Sequence, residues 1–117
     1  MKNKIRKKME LEFYEYQTGT FNDVKESLIR SIAQYLRHYN KVKVGITSNP
    51  LNRFSQHSNS GKGWKKMIVK YETSSVSYIN EMEKLLIDNF SDLLQNEIGG
   101  GGGPNGKPPY YLYLLLK

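Results

Sequence analysis

The sequence predicts an α+β fold in which a small mixed or antiparallel central sheet is flanked by helices within a single domain. The chain has 117 residues, which is enough for one hydrophobic core and too few for two ordinary domains. Hydrophobic residues make up 38% of it and aromatic residues 12%, so the composition is that of a folded protein. Apolar residues recur every four positions in some segments and alternate in others, which indicates both helices and strands.

The first forty residues are predicted to hold a basic tail, a strand and a helix. Residues 1–8 are rich in lysine and no apolar segment follows them, so the pattern is not that of a signal peptide. Residues 9–13 alternate as a peripheral strand does. Asp23 with Glu26 resembles a capping box, and a helix is expected from about Asp23 to His38. Its apolar positions are Val24, Leu28, Ile32 and Leu36.

A strand and a second helix are predicted next. In residues 41–47, Lys43 and Gly45 share one strand face. The other face carries the apolar residues Val42, Val44 and Ile46. Asn49 followed by Pro50 is a helix-start signal, with the asparagine as N-cap and the proline at the first helical position.

The second half of the chain is predicted to add two strands and a long helix. Residues 66–73 have the pattern of a strand, and residues 76–94 that of a helix. The core face of this helix is expected to contain Ile79, Met82, Leu86, Phe90 and Leu93. Residues 110–116 form an apolar strand in which Tyr111 and Tyr113 share one face, and aromatic core packing is the default interpretation of each tyrosine.

The charge of the chain favours a polyanionic partner. Eighteen Lys and Arg residues stand against 11 Asp and Glu, a formal net charge of +7, although solubility alone also explains such an excess. No cysteine is present, which excludes disulfides and thiolate zinc sites and fits a cytoplasmic setting. The longest apolar run, residues 110–116, is far too short to span a membrane, so we expect a soluble protein with no membrane partner.

Arg53 and His57 are candidates for a phosphate site. They lie four residues apart on the helix that follows Pro50, which should extend to about His57, and they therefore share one face. Leu51 and Phe54 are expected to point towards the core. The alternative is that Arg53 and His57 belong to a solvated face.

Glu83 is the candidate metal ligand. Its neighbours at helical spacing are apolar, namely Ile79, Met82, Leu86 and Ile87. A carboxylate that borders an apolar stripe needs a partner, because burying it unpaired is costly. That partner is either a divalent cation, since Mg²⁺ commonly takes one or two protein carboxylates, or a lysine or arginine in a salt bridge.

A basic and aromatic patch is predicted after the short helix. It combines Trp64 with Lys62, Lys65, Lys66 and Lys70. Contact with a phosphate backbone fits this patch, and a solvated lysine face is the alternative. The run Gly99–Gly103 matches no phosphate-loop pattern, so a connector is its expected role.

Two blocks of the sequence resemble the GIY-YIG nuclease family. Residues 43–57 resemble the second half of its signature, in which a YIG strand is followed by a polar turn and a helix with an arginine and often a histidine. Arg53 and His57 match these two positions. Residues 82–87 resemble the helix that carries the family's metal-binding glutamate, which Glu83 matches.

The first half of the signature is displaced. The family's first strand normally lies a short hairpin before YIG, whereas residues 23–40 have a helical pattern here. Residues 110–115 resemble that strand, which suggests a circular permutation in which it pairs beside residues 41–47. Tyr113 then takes the position of the GIY tyrosine, and Asn96 matches a late asparagine found beside the site in many members.

The resemblance implies a nuclease mechanism. Glu83 would hold one Mg²⁺ or Mn²⁺ on the scissile phosphate, and Arg53 would bind the same phosphate. Tyr113 would help to generate the nucleophile, and His57 would relay a proton or position the phosphate. Lys43 stands at the position of the YIG tyrosine, where its charge could lower the pKa of a neighbouring phenol.

The predicted organisation is a basic tail (1–8), an N-terminal strand and helix (9–40) and a GIY-YIG-like core (41–117). The implied function is metal-dependent hydrolysis of DNA phosphodiester bonds. One alternative is a catalytically inactive module that binds nucleic acid or another protein, which Lys43 and the displaced strand favour. Another is that the basic cleft binds RNA or a nucleotide.

Overall fold

A computed structural model describes residues 9–95 and 106–117, which form a five-stranded mixed sheet with three helices. The predicted α+β class is confirmed. In chain order the elements are β1 (Glu10–Glu12), β2 (Gln17–Thr18), α1 (Phe21–His38), β3 (Val42–Thr47), α2 (Pro50–Ser58), β4 (Lys66–Thr73), α3 (Val76–Asn89) and β5 (Tyr110–Leu116). The very short strand β2 has no counterpart among the predicted elements.

The strand nearest the end of the chain lies inside the sheet. The strand order is β1-β4-β5-β3, with β2 also paired to β4. Strand β5 is antiparallel to both of its neighbours, whereas β1 and β2 run parallel to β4. The predicted pairing of residues 110–116 beside residues 41–47 is confirmed, and it leaves β3 at an edge of the sheet.

The two faces of the sheet are covered differently. Helices α1 and α3 pack their apolar residues on one face and form the larger core, which includes Val44, Leu112 and Leu114. A smaller cluster on the other face contains Tyr113 and Leu115, with side chains from α2 and from the segment around β1 packed against it. The predicted alternation in β3 and β5 therefore separates the two faces as expected.

Two helix boundaries differ from the prediction. Helix α1 begins at Phe21, because the Thr20 hydroxyl accepts a hydrogen bond from the backbone N–H of Asp23, so Thr20 is the cap and not Asp23. Helix α3 ends at Asn89, five residues early, and the predicted core residue Leu93 is 59% exposed. The first error arises because Thr20 and Asp23 are both suitable cap residues. The second arises because apolar spacing continues after the helix has ended.

Helix α2 begins as predicted but differs in one side chain. Asn49 accepts a hydrogen bond from the backbone N–H of Asn52 at 3.0 Å, and Pro50 lies in the first turn. Phe54 packs against the smaller cluster. Leu51 is 63% exposed, so its predicted core position is wrong.

Three predicted features lie outside the described residues: the basic tail of residues 1–8, Asn96 and the run Gly99–Gly103. Among the residues that are described, no helix is both long enough and apolar enough to cross a membrane.

Candidate functional site

Tyr113 lies at the centre of the candidate site. Its side chain faces away from the larger core and is 4% exposed. Gly45 is its partner across the β3–β5 pair. A side chain at position 45 would overlap the far end of the Tyr113 ring, including its oxygen. Gly45 therefore lets the ring lie over the edge strand, and the phenol reaches the rim of the sheet.

Helix α2 brings two further groups to this phenol. Phe54 anchors the helix on the smaller cluster, and Arg53 and His57 flank it. The His57 Nε2 atom lies 3.0 Å from the Tyr113 hydroxyl oxygen, and the two ring centroids are 5.6 Å apart. The Arg53 guanidinium also lies close to this hydroxyl. Arg53 and His57 thus share one helix face, as predicted, and both lie close to Tyr113, which is distant in the chain.

The surroundings of Tyr113 and His57 determine the protonation states of the phenol and the imidazole. Burial raises the pKa of Tyr113 to about 12, with the Arg53 charge opposing the rise and the Glu83 carboxylate adding to it. Burial also lowers the pKa of His57 to about 4, and three cations lower it further: Lys43, Arg53 and Lys62. At neutral pH the phenol is protonated and the imidazole is neutral. In the imidazole tautomer with its proton on Nδ1, the Tyr113 hydroxyl donates to His57 Nε2.

Glu83 approaches the same phenol from α3, the helix on the opposite face of the sheet. Its side chain is half-buried, and burial raises its pKa. The Glu83 charge acts on the pKa of Tyr113. The phenol lies over the edge strand β3, where groups from both faces of the sheet can approach each other. Across residues 9–95 and 106–117, Glu83 forms no ion pair, so the salt bridge predicted as one of its two partners is not observed there.

A divalent cation fits the surroundings of Glu83. A half-buried carboxylate without a cationic partner destabilises the fold unless something compensates its charge. Mg²⁺ commonly takes one protein carboxylate together with water and substrate phosphate. No three His, Asp or Glu side chains cluster in the described part of the chain. Glu83 could therefore supply one carboxylate ligand to such an ion.

Lys43 and Lys62 extend the site into a basic cleft. Lys43 lies on the same strand face as Gly45, two residue pairs further along the β3–β5 ladder, opposite Leu115. The cleft has a volume of about 390 Å³, and we call it the lysine cleft. It is lined by Lys41, Lys43, Lys62, Trp64, Gln95 and Lys117. Since Lys43 and Lys62 both act on the pKa of His57, this cleft adjoins the phenol and the imidazole.

The other three lysines of the predicted patch, Lys65, Lys66 and Lys70, lie in different surroundings. Lys65 is exposed and lines a neighbouring cleft. The Lys66 Nζ atom lies 2.9 Å from a Glu12 carboxylate oxygen and 3.7 Å from one of Glu10, so its charge is compensated. Lys70 lies over the ring of Tyr35, on the face that α1 covers. Of the four lysines, Lys62 alone lines the lysine cleft.

Lys41, Gln95 and Lys117 were missed by the sequence analysis. Lys41 and Lys117 continue the β3–β5 ladder by one pair, with backbone hydrogen bonds of 2.7 and 3.0 Å between them. Gln95 is brought in by its backbone N–H, which donates to the Val42 carbonyl at 2.8 Å. The antiparallel register of the two strands is the signal that would have paired Lys41 with Lys117.

Comparisons of the chain with protein-family models, with curated proteins and with solved structures found no significant match.

The imidazole of His57 should titrate near pH 4, far below the ordinary value of 6.5. The folded protein binds this proton less readily than the unfolded chain does. The contribution of His57 to the free energy of unfolding is therefore complete above pH 6.5 and is lost as the pH falls towards 4. An NMR titration of the imidazole resonances measures this pKa.

The Tyr113→Phe variant is the control for that titration. It removes the hydroxyl and keeps the ring that helps to bury His57, so the pKa of His57 should stay low. A wild-type imidazole that titrates at 6.5 would contradict the buried contact.

Proposed function

We propose that this protein is a divalent-metal-dependent DNA endonuclease of the GIY-YIG type, with the family's first strand at the position of β5. The observation that carries the proposal is the meeting of four side chains at the rim of one sheet. A phenol, an imidazole, a guanidinium and a half-buried carboxylate converge there from β5, α2 and α3. The net charge of +7 supports DNA as the substrate.

Arg53 binds and orients the scissile phosphate in this proposal. A guanidinium presents paired donors to phosphate oxygens, and it stays charged at every pH of interest. Arg53 lies close to the Tyr113 hydroxyl, so a phosphate held by Arg53 is also beside the phenol. The cations of the lysine cleft continue the positive surface and bind the phosphates next to it.

Tyr113 and His57 move the proton from the attacking water. As the water oxygen bonds to phosphorus, its proton passes to the Tyr113 oxygen, while the Tyr113 proton passes to His57 Nε2. The phosphorus–oxygen bond to the leaving group breaks and the departing oxygen takes a proton from solvent, while His57 later returns its own proton to solvent. The low pKa of His57 keeps the imidazole neutral before the reaction and favours the later release of its proton to solvent. Lys43 supports this state through its effect on His57, rather than on the phenol as expected from the sequence.

Glu83 is the protein ligand for Mg²⁺ or Mn²⁺. The bound cation supplies charge stabilisation for the phosphate and for the departing oxygen. Glu83 itself contributes a carboxylate that is half-buried, close to the phenol and free of a cationic partner among the described residues.

Nicking of supercoiled plasmid tests the proposal. The wild-type protein should nick or linearise plasmid in Mg²⁺ or Mn²⁺ and leave it intact in EDTA. Arg53→Ala should slow cleavage by about a hundredfold, because it removes one charged donor from the phosphate. Arg30→Ala is the matched control, since Arg30 is exposed on α1, which covers the other face of the sheet. An equal loss of cleavage in Arg53→Ala and Arg30→Ala would mean that cleavage depends on the total charge of the protein and not on the proposed site.

A binding module without catalysis is the second candidate. Its specific support is Lys43, a lysine at the position of the YIG tyrosine, together with the cations of the lysine cleft. Such a module would bind plasmid in a strongly salt-dependent way, without regard to divalent metal, and leave it intact. Competition with RNA and with nucleotides would identify a different polyanion as the partner.

A further inference from the structure

The lysine cleft combines positively charged side chains with an aromatic ring and an amide. Four of its six lining residues are lysines, and none is acidic. The other two are Trp64 and Gln95, an indole and an amide. Its volume of about 390 Å³ lies within the range of about 300–1,000 Å³ that is typical of small-molecule sites. The lining therefore offers anion contacts, a stacking surface and a hydrogen-bonding group within one cavity.

Trp64 is placed between two cavities. It lines both the lysine cleft and a larger cleft of about 690 Å³, which is also lined by Gly63 and Lys65. Its ring is anchored because it packs against the smaller apolar cluster. The Lys117 ammonium lies over the ring, 4.8 Å from the centroid, and contacts the Lys62 carbonyl. A long lysine side chain can leave this position and move to a phosphate when a base takes its place on the indole.

We propose that the lysine cleft binds one unpaired nucleotide next to the scissile phosphate, with its base stacked on Trp64. This inference rests on the proposed function, because it takes a nucleic acid strand as the ligand. It makes the substrate a strand with an unpaired segment, such as single-stranded or branched DNA. A fully paired duplex keeps both faces of its bases stacked and offers none to an indole inside a cavity.

The position of the cleft supports this assignment. Lys43 and Lys62 line the cleft and also act on His57, which contacts Tyr113. A strand with one phosphate at Arg53 would thus have its neighbouring nucleotide at the cleft. Gln95 lies on the rim of the cavity, where its side-chain amide can meet the edge of a base.

The fluorescence of Trp64 gives a direct test, since it is the chain's single tryptophan. In EDTA, a short oligodeoxythymidine should quench the emission saturably. A paired duplex and an inorganic polyphosphate of matched charge should bind without comparable quenching. Equal quenching by all three ligands, or single-strand binding that leaves Trp64 unchanged, would overturn the proposal.

Variants connect the signal to affinity. In anisotropy titrations, Trp64→Ala should weaken single-strand binding about tenfold with little effect on duplex binding, and Trp64→Phe should restore most of the loss. Lys62→Ala should reduce the salt dependence of binding by about one counterion. Lys25→Ala on α1 is the matched control for charge. A uniform loss for single strand and duplex in Trp64→Ala would overturn the stacking role.

The same protein preparations, assayed for cleavage in Mg²⁺ or Mn²⁺ and for fluorescence in EDTA, separate this inference from the proposed function. Metal-dependent plasmid nicking with an unresponsive Trp64 would overturn the nucleotide site and keep the nuclease. Quenching that follows the predicted order, with no cleavage of plasmid, single-stranded or branched DNA in Mg²⁺ or Mn²⁺, would support the nucleotide site and remove the nuclease. An oligouridine series compares RNA with DNA, and quenching by either strand supports the cleft as a site for an unpaired nucleotide.

Discussion

Glu83→Ala should abolish metal-dependent cleavage while leaving DNA binding almost unchanged. Glu83 is the proposed protein ligand of the metal, and the charge stabilisation that a metal supplies is worth several kcal/mol, so we expect a loss of at least about a hundredfold. DNA binding should persist because the lysine cleft and Arg53 remain. Plasmid cleavage and filter binding on the same preparations measure the two effects.

The stability of the Glu83 variants distinguishes a functional from a structural role. Burial raises the pKa of Glu83, which means that its ionised form opposes folding at neutral pH. Glu83→Gln should therefore raise the free energy of unfolding while cleavage is lost. Glu81→Ala, on an exposed position of the same helix, is the matched control and should change neither. A destabilised Glu83→Gln protein would show that the carboxylate holds the fold together.

Gly45→Ala should disable the site without removing any functional group. A methyl group at position 45 overlaps the far end of the Tyr113 ring, so the ring must move away from β3. A displacement of about 1 Å can reduce a rate by about a hundredfold, and overpacking typically costs about 1–3 kcal/mol of stability. Cleavage assays and denaturant unfolding measure these losses together.

A second substitution separates the two losses in Gly45→Ala. Tyr113→Leu removes the ring that the methyl group strikes, so Gly45→Ala should destabilise the Tyr113→Leu protein far less than the wild type. Cleavage should stay absent in the double variant because the phenol is gone. If Gly45→Ala costs the same stability in both backgrounds, the contact between the ring and Gly45 is not what requires a glycine.

Local sequence patterns predicted most of the secondary structure. The alternation in residues 42–46 correctly separated Val44 from Lys43 and Gly45, because side-chain direction in a strand depends only on position parity. Asn49 and Pro50 gave the start of α2 for an equally local reason. The end of α3 was wrong because apolar spacing continues through Phe90 to Leu94 after the helix has ended, and both side chains still pack on the core.

The site depended on information that local patterns do not contain. Arg53 and His57 could be paired from helical spacing, but the contact of His57 with Tyr113 joins residues 56 positions apart. The β-bulge between Val69 and Tyr71 likewise turns two residues of equal parity to opposite faces. Lys66 is separated from the other lysines of the predicted patch by its ion pair with Glu12. No helical or strand periodicity predicts that ion pair.

The position of β5 also affects how the protein is made. Both β3 and β4 pair with β5, yet residues 110–116 are synthesised after the other four strands of the described sheet. A chain is synthesised from its N-terminus, so β3 and β4 leave the ribosome before the strand that joins them has been made. Tyr113 arrives with that strand, and the pairing of distant segments is slow. An incomplete translation product would therefore lack the phenol and the pairing that joins β3 to the rest of the sheet. Under the proposed function, it would be inactive until this strand had been synthesised.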